Sequence, residues 1–175
     1  MEDRHNRIFK QRMSACEGDA LHCACRNGQT EIILKLIDLG ADIHTKDNDG
    51  ETPLHMACQK GHTDTVLALI ARGADVSTKD NYGGTPLHYA CMKGSTDIVL
   101  ALIDLGADIS AKNNYGGTPL RYACYYGHVE TTLAIVERGA EIFSKNTFAH
   151  FSPDILPRVY ERLHVSTVKS YIVHQ

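Results

Sequence analysis

TPLHYAC stands at residues 85–91, and closely similar heptapeptides stand before and after it. TPLHMAC occupies residues 52–58, TPLRYAC residues 118–124 and DALHCAC residues 19–25. Each copy begins 33 residues after the last, so the 175-residue chain is a repeat array and not one irregular domain. A His or Cys that returns once per period is therefore first a part of the repeating unit. Residues that break the period are the better candidates for individual function.

Each copy contains the signals for a short first helix. Thr52 followed by Pro53 is a typical helix start, because the Thr hydroxyl accepts an otherwise unpaired backbone N–H and Pro suits the first helical position. We expect this helix to run to about Lys60 and to end at Gly61, because glycine readily adopts the positive φ of a helix C-terminal cap. The Thr-Pro pair recurs in the next two copies, so the same helix is predicted there.

A second helix follows in each copy. In the second copy it is predicted to begin near Thr63 and to end at Gly73. Its apolar residues recur at helical spacing and predict one packing face, formed by Val66, Leu67, Leu69 and Ile70. The residues that follow are rich in turn formers and include a short extended stretch at 75–77. The predicted unit is therefore helix, turn, helix and hairpin-like loop.

This unit resembles the ankyrin repeat through TPLHxA, the glycine after the first helix and the GAD that follows the second. The resemblance implies an all-α fold, an ankyrin-repeat solenoid of stacked helix-turn-helix units with hairpin-like loops. It covers residues 14–145 as four repeats, 14–46, 47–79, 80–112 and 113–145. The first copy has Asp19 and Ala20 in place of Thr-Pro, as suits a terminal repeat that packs on one side only.

The two ends lie outside the period and are expected to cover the array. Residues 1–13 form a polar segment that predicts a short capping helix. Residues 146–175 lack TPLH and glycine, and the Ser-Pro at 152–153 and Leu-Pro at 156–157 predict two helix starts in a C-terminal capping segment.

The C-terminal segment also has a second interpretation. Its LPRVYERL, residues 156–163, resembles the opening of an F-box, a module that recruits a ubiquitin ligase in some poxvirus and intracellular-bacterial ankyrin proteins. Under this alternative the chain is a ligase adaptor that acts in the cytoplasm of a host cell.

Composition and charge argue against several classes of function. The chain has no run of about 18 or more apolar residues and no basic-then-apolar leader, so we expect neither a membrane span nor a secretory signal. The net charge is -3, with acidic and basic residues interspersed, which lacks the one-sided positive excess that nucleic-acid binding requires. A cytoplasmic monomer is the expectation.

The six cysteines do not predict a disulfide framework. Cys25, Cys58, Cys91 and Cys124 form one column of the repeat, and packed helices are separated by about 8–10 Å. A disulfide requires α-carbons closer than about 7 Å, so neighbours in the column cannot pair. Cys16 and Cys23 cannot supply partners for four thiols. Reduced cysteines in a reducing compartment are therefore expected.

The repeated His-x-x-Cys pattern suggests zinc, which takes four such ligands. A column spreads the ligands apart, however, and the fourth copy replaces His by Arg121, which cannot bind metal. The resemblance gives the TPLH histidine another role, a hydrogen bond across the loop to the neighbouring repeat. GxSxG, HExxH and phosphate-binding glycine loops are absent from the sequence. We therefore expect no metal, no cofactor and no enzymatic activity, and a metal- or thiol-dependent enzyme is the weakest alternative.

Recognition of a protein partner is the function that remains. In the resemblance, variable residues at the loop tips and along the first helix line one concave face of an interaction module or scaffold. This face becomes tyrosine-rich towards the C-terminal end, and Tyr supplies large contact area at interfaces. The predicted partner-binding residues are Lys46, Asp49, Tyr82, Met92, Lys93, Asn114, Tyr115, Tyr125 and Tyr126, with Glu51 on the same face. Since Tyr125 and Tyr126 are adjacent on a helix, at most one of them is expected to face a given partner.

Overall fold

The chain forms a row of helix pairs followed by one further helix. The computed structural model describes residues 19–140 and 155–162, so the predicted helix at 1–13 and most of the C-terminal segment lie outside the described residues. Within these ranges every regular element is a helix, as predicted for an all-α solenoid. The helices are α1 (Ala20–Arg26), α2 (Thr30–Asp38), α3 (Pro53–Lys60), α4 (Thr63–Ala71), α5 (Pro86–Lys93), α6 (Thr96–Asp104), α7 (Pro119–Tyr125), α8 (Val129–Glu137) and α9 (Ile155–Arg162).

In the second, third and fourth pairs the first helix begins at the predicted Thr-Pro signal, whereas α1 begins at Ala20 after Asp19. Thr52 has extended backbone, Pro53 opens α3, and Thr52 forms a reciprocal capping box with His55. The helix ends at Gly61, whose φ of 76° lies in the left-handed region that favours glycine. The predicted bounds of this helix are therefore confirmed.

Stacking of the helix pairs buries one continuous core. Leucines from successive first helices lie at its centre, namely Leu21, Leu54, Leu87 and Leu120. The predicted face of α4 is only partly correct. Val66 and Leu69 are fully buried and Ile70 is half-buried, but Leu67 is 47% exposed. One residue is about 100° of helical rotation, so Leu67 lies outside the buried stripe that Val66 joins.

The loops between the pairs are turns, and the predicted extended stretch at 75–77 is wrong. Oδ1 of Asp75 accepts the backbone N–H of Ser77 at 2.9 Å, and this local hydrogen bond bends the chain. Farther along, the backbone N–H of Asp80 donates to the carbonyl oxygen of Gly84 at 2.9 Å. That bond closes the hairpin-like loop that precedes α5.

The TPLH histidines connect each repeat to the loop of the next. The backbone N–H of Thr52 donates to Nδ1 of His55 at 3.1 Å, which leaves the ring proton on Nε2. Nε2 donates to the carbonyl oxygen of Gly84 at 3.3 Å, and His88 makes the same bond to Gly117 at 3.1 Å. Burial lowers the pKa of His55 to about 4 and also lowers the pKa of His88. Both rings are therefore neutral donors at neutral pH.

Side-chain contacts that involve the second helices and their caps recur at every other interface between repeats. Between the first and second repeats, Thr30 bonds Thr65, Arg72 pairs with Asp38, and the His62 ring bonds the Arg26 carbonyl oxygen. Between the third and fourth repeats, the equivalent contacts are Thr96 with Thr131, Arg138 with Asp104, and the His128 ring with the Met92 carbonyl oxygen. Between the second and third repeats, Ser95 and Leu105 stand in place of the His and the Arg. The array therefore alternates two kinds of interface, a longer period that the 33-residue pattern does not show.

The cysteine column is buried and reduced, as expected. Cys25, Cys58, Cys91 and Cys124 are free thiols inside the core. The expectation of reduced cysteines is wrong for Cys23, which is disulfide-bonded. Cys23 does not belong to the column, so the spacing between packed helices that separates the column thiols does not constrain it.

The helix α9 packs against α8, the second helix of the last repeat. Val159 is 1% exposed and joins the core of the array. The helix begins at Ile155, which agrees with the start predicted at Leu-Pro 156–157, whereas the start predicted at 152–153 lies outside the described residues.

Candidate partner-binding surface

The predicted loop-tip residues lie along one edge of the array. Lys46 and Asp49 are exposed in the loop before α3, and Tyr82 is 48% exposed in the next loop. The Tyr82 hydroxyl donates to Oδ1 of Asp49 at 3.4 Å, and Nζ of Lys46 donates to the carbonyl oxygen of Lys79 at 2.9 Å. Each loop tip is therefore held by the tip of its neighbour.

The last described loop continues this edge. The backbone N–H of Asn114 donates to the carbonyl oxygen of Tyr82 at 2.9 Å, and its side-chain Nδ2 donates to the carbonyl oxygen of Asn81 at 3.1 Å. Tyr115 follows and is 73% exposed. The ordered backbone thus presents Tyr115 to solvent beside the first helix of the last repeat.

Tyr115 borders a groove of about 370 Å³ on the last repeat, here called the tyrosine groove. Its lining is Tyr115, Gly117, Arg121, Tyr122, Tyr125 and Tyr126. The Tyr125 and Tyr126 rings meet edge to face, with centroids 5.1 Å apart, and both are at least half exposed. The structure places both rings at one groove, contrary to the expectation for adjacent helical residues, because α7 ends at Tyr125 and Tyr126 is its cap.

Met92 and Lys93 do not line the tyrosine groove. Both lie at the end of α5, where Met92 is half-buried and its carbonyl oxygen accepts Nε2 of His128 at 3.0 Å. The Lys93 stem lies beside Gly61 of the preceding repeat. The predicted partner-binding residues therefore form a loop edge and a groove that meet at Tyr115, with Met92 and Lys93 apart from the groove.

One repeat earlier, the tyrosine equivalent to Tyr122 is hydrogen-bonded to a carboxylate. The Tyr89 hydroxyl donates to Oδ2 of Asp80 at 2.6 Å, and the Glu51 carboxyl also contacts it. Burial and these hydrogen bonds hold the pKa of Tyr89 far above its ordinary value. Glu51 is only 8% exposed, and burial raises its pKa. The prediction that Glu51 lies on the binding face is therefore wrong, because its side chain turns inwards to Tyr89.

In the last repeat the corresponding hydrogen bond runs in the opposite direction. Oδ1 of Asn113 accepts the backbone N–H groups of Tyr115 and Gly117 at 3.1 and 2.8 Å, which fixes the orientation of the amide. Nδ2 of Asn113 then donates to the Tyr122 hydroxyl oxygen at 2.7 Å. The Tyr122 O–H has no acceptor among the described residues.

Arg121 adds a cation to the same groove. It stands at the column position of His55 and His88 but is half-buried, and its guanidinium makes no hydrogen bond or ion pair with residues 19–140 or 155–162. Sequence reasoning missed Arg121 and Tyr122 as site residues. The signal was the simultaneous change of Asp80 to Asn113 and of His88 to Arg121 between the third and fourth copies.

The buried thiols and histidines are poorly suited to catalysis or metal binding. Burial raises the pKa of Cys25 and Cys124 to about 12, which opposes formation of a nucleophilic thiolate. The part of the chain that the structure describes contains no group of three or more metal-ligating side chains. None of the described helices is long and apolar enough to cross a membrane.

A sequence model of ankyrin repeats, built from three copies, matches residues 6–80 and 74–146. The chain therefore belongs to the ankyrin repeat family, whose members typically are non-enzymatic modules for protein–protein interaction. No curated protein matches the sequence.

Proposed function

We propose that this chain is a protein–protein interaction module that binds its partner through the loop edge and the tyrosine groove. The tyrosine groove is the observation that carries the proposal. Tyr115, Tyr125 and Tyr126 are 73, 61 and 50% exposed although each carries a large apolar ring. Exposed aromatic residues that line one concave surface are characteristic of protein interfaces, where they act as anchors.

The supporting scaffold is rigid beneath these rings. The loop that carries Tyr115 is closed by hydrogen bonds to Asn113, and the helix that carries Tyr125 is packed on the core through Leu120 and Cys124. Little conformational entropy is lost when a partner binds side chains that are already positioned.

Two alternatives have less support. The LPRVYERL helix, α9, buries Val159 against the last repeat, which favours the capping role over that of a ligase-recruiting module. The column thiols are buried and have raised pKa values, which disfavours a thiol enzyme.

Capture from a cell lysate with the intact chain and two variants tests the proposal. The double variant Tyr115→Ala/Tyr126→Ala removes two groove walls, and Leu39→Ala is the matched control because Leu39 is an exposed apolar residue at the C-terminal cap of α2, away from the groove. We expect at least one protein to be recovered about 10-fold less with the double variant, from the loss of an interface anchor of about 1.4 kcal/mol or more.

Thermal unfolding of the three proteins separates binding from stability. Surface substitutions change stability by about 0.5 kcal/mol or less, so the melting temperatures should agree within about 2 °C. Equal recovery of every protein with all three baits would contradict the proposal. So would a double variant that loses its helical structure, because the rings would then be structural.

A further inference from the structure

The number of carboxylates along the loop edge falls from the loop at 47–51 to the loop at 113–117. The loop at 47–51 carries Asp47, Asp49 and Glu51, and the loop at 80–84 carries Asp80. The loop at 113–117 has no carboxylate. No carboxylate lines the tyrosine groove either, so it is the least acidic part of this surface.

The groove offers hydrogen-bond donors that have no acceptor within residues 19–140 and 155–162. Nδ2 of Asn113 donates a hydrogen bond to the Tyr122 hydroxyl oxygen at 2.7 Å. The Tyr122 O–H can therefore donate a hydrogen bond to another group. The Arg121 guanidinium, also in the lining, has no anionic partner among the described residues. In the third repeat, by contrast, the Tyr89 hydroxyl already donates its hydrogen bond to Asp80. The fourth repeat therefore has the donors that a carboxylate needs, and the third repeat does not.

We propose that the tyrosine groove binds an extended acidic segment of a partner protein. An Asp or Glu carboxylate of that segment accepts hydrogen bonds from Arg121 and Tyr122, and a neighbouring apolar side chain packs among Tyr115, Tyr125 and Tyr126. Charge complementarity selects this occupant, because a half-buried guanidinium that has no anionic partner in the described part of the chain gains most from an anion. The inference rests on the proposed function and adds the chemistry of the partner.

A phosphate-bearing partner fits the surface less well. Phosphopeptide sites use clusters of arginines, whereas Arg121 is the single arginine in the groove lining. A nucleic acid backbone would also meet the carboxylates of the loops at 47–51 and 80–84. One cation flanked by aromatic rings matches one carboxylate with apolar neighbours.

Fluorescence polarisation with two synthetic peptide pools tests the proposal on the full chain. Both pools contain short fluorescein-labelled peptides with Leu and Phe at fixed positions. One pool carries Asp and Glu at the remaining positions, and the other carries Asn and Gln. We expect the acidic pool to bind about 10-fold more tightly, because a hydrogen bond to a charged group contributes roughly 1.5–3 kcal/mol.

Three variants identify the groups responsible. Arg121→Gln should remove the preference for the acidic pool. Asn113→Asp should also lower the affinity for the acidic pool by about 10-fold. The new carboxylate would accept the hydrogen bond of the Tyr122 hydroxyl and would add a negative charge beside the groove. Asp80 already occupies this position in the third repeat, so the loop tolerates the change. The matched control is Asp80→Asn, which makes the reverse substitution outside the groove and should leave the preference unchanged.

The possible results are distinct. Equal binding of the two pools, no binding of either pool, or an acidic preference that survives Arg121→Gln and Asn113→Asp overturns the acidic-segment proposal. Phosphoserine peptides that outbind the acidic pool also overturn it. If lysate capture still depends on Tyr115 and Tyr126 in those cases, the interaction module stands and only its partner chemistry is wrong. If capture is independent of the tyrosines as well, the proposed function fails too.

Discussion

The third and fourth repeats have the same order of helices and loop but differ in which polar groups form hydrogen bonds within the repeat. In the third repeat, Asp80 accepts a hydrogen bond from Tyr89, and His88 donates one to the carbonyl oxygen of Gly117. The fourth has Asn113 and Arg121, and its Tyr122 proton and guanidinium have no acceptor among the described residues. The two substitutions therefore change which hydrogen-bonding groups are used within the repeat, and the first helix of the fourth repeat is also one residue shorter than that of the third.

The column position that holds His88 in the third repeat and Arg121 in the fourth differs in burial between the two repeats. His88 is 2% exposed because the fourth repeat covers it, whereas Arg121 is half-buried and borders the tyrosine groove. A charge is costly at the first position and tolerated at the second. At the covered positions of the second and third repeats, this column holds the neutral, hydrogen-bonded rings of His55 and His88.

Exchanging the two column residues should have the largest effect. His88→Arg places a guanidinium between α5 and the following loop, where a neutral ring now donates to Gly117. An uncompensated buried charge costs about 3–5 kcal/mol, so we expect a fall of that size in the free energy of unfolding. Urea denaturation followed by circular dichroism measures it.

The reverse exchange is the matched control. Arg121→His restores the neutral column residue at a half-buried position, so stability should change by no more than about 0.5 kcal/mol. Equal losses in the two variants would show that covering by the next repeat is not what separates the two positions.

The buried histidines should also make the array sensitive to acid. Burial lowers the pKa of His55 from 6.5 to about 4, so the unfolded chain takes up a proton that the folded chain refuses. Stability from this ring is complete above pH 6.5 and falls as the pH drops towards 4, by about 3 kcal/mol in all. Denaturation curves between these two pH values measure the loss.

The variant His55→Asn supplies the test of that assignment. It should be less stable than the natural chain at neutral pH but should show a flatter dependence between pH 6.5 and 4. His44→Asn is the control, since His44 is exposed in a loop. Parallel pH curves for His55→Asn and the natural chain would rule out the buried ring as the source.

Two glycines of the third repeat should differ in a smaller but clear way. Gly94 and Gly106 have φ of 77° and 88°, so alanine is strained at both. At Gly94 a Cβ atom would also overlap the His128 ring of the fourth repeat, whereas at Gly106 nothing lies within 4 Å. We expect losses of about 3 kcal/mol for Gly94→Ala and about 1 kcal/mol for Gly106→Ala.

Thermal denaturation of both glycine variants measures the difference. The backbone strain is common to both, so the excess at Gly94 isolates the contact with the next repeat. A Gly106→Ala loss as large as that of Gly94→Ala would mean that backbone strain alone accounts for the effect.

Much of the fold could be predicted because the repeat states each signal several times. The Thr-Pro starts, the glycine ends and the 33-residue spacing predict α3 and α4 to within a residue or two. The burial of Leu67 was predicted wrongly, because apolar character alone does not set which side of a helix is buried. The extended stretch at 75–77 was predicted wrongly because the Asp75 side chain bonds the Ser77 backbone and bends the chain. The alternation of the outer contacts was missed because it depends on pairs such as Thr30 with Thr65, which lie in different repeats.

The candidate site was predicted only in outline. The exposed tyrosines could be found because they vary where the rest of the repeat is constant, and the structure places Tyr115, Tyr125 and Tyr126 at one groove. Arg121 and Tyr122 could not be assigned to it, since their role depends on which hydrogen bonds remain unmade. Their binding role stays a prediction.

The sequence by itself determined the architecture, because local signals and a fixed period specify stacked helix pairs wherever they recur. It also marked the end of the array as the place where the repeated pattern changes. Only the tertiary structure decided which polar groups are already used. Asp80 and Asn113 occupy equivalent turns of successive repeats, but Asp80 accepts the hydrogen bond of its tyrosine hydroxyl at 2.6 Å, whereas Asn113 donates to its tyrosine oxygen at 2.7 Å. Hydrogen-bond satisfaction is a property of atoms brought together in space, so residue spacing alone does not reveal it.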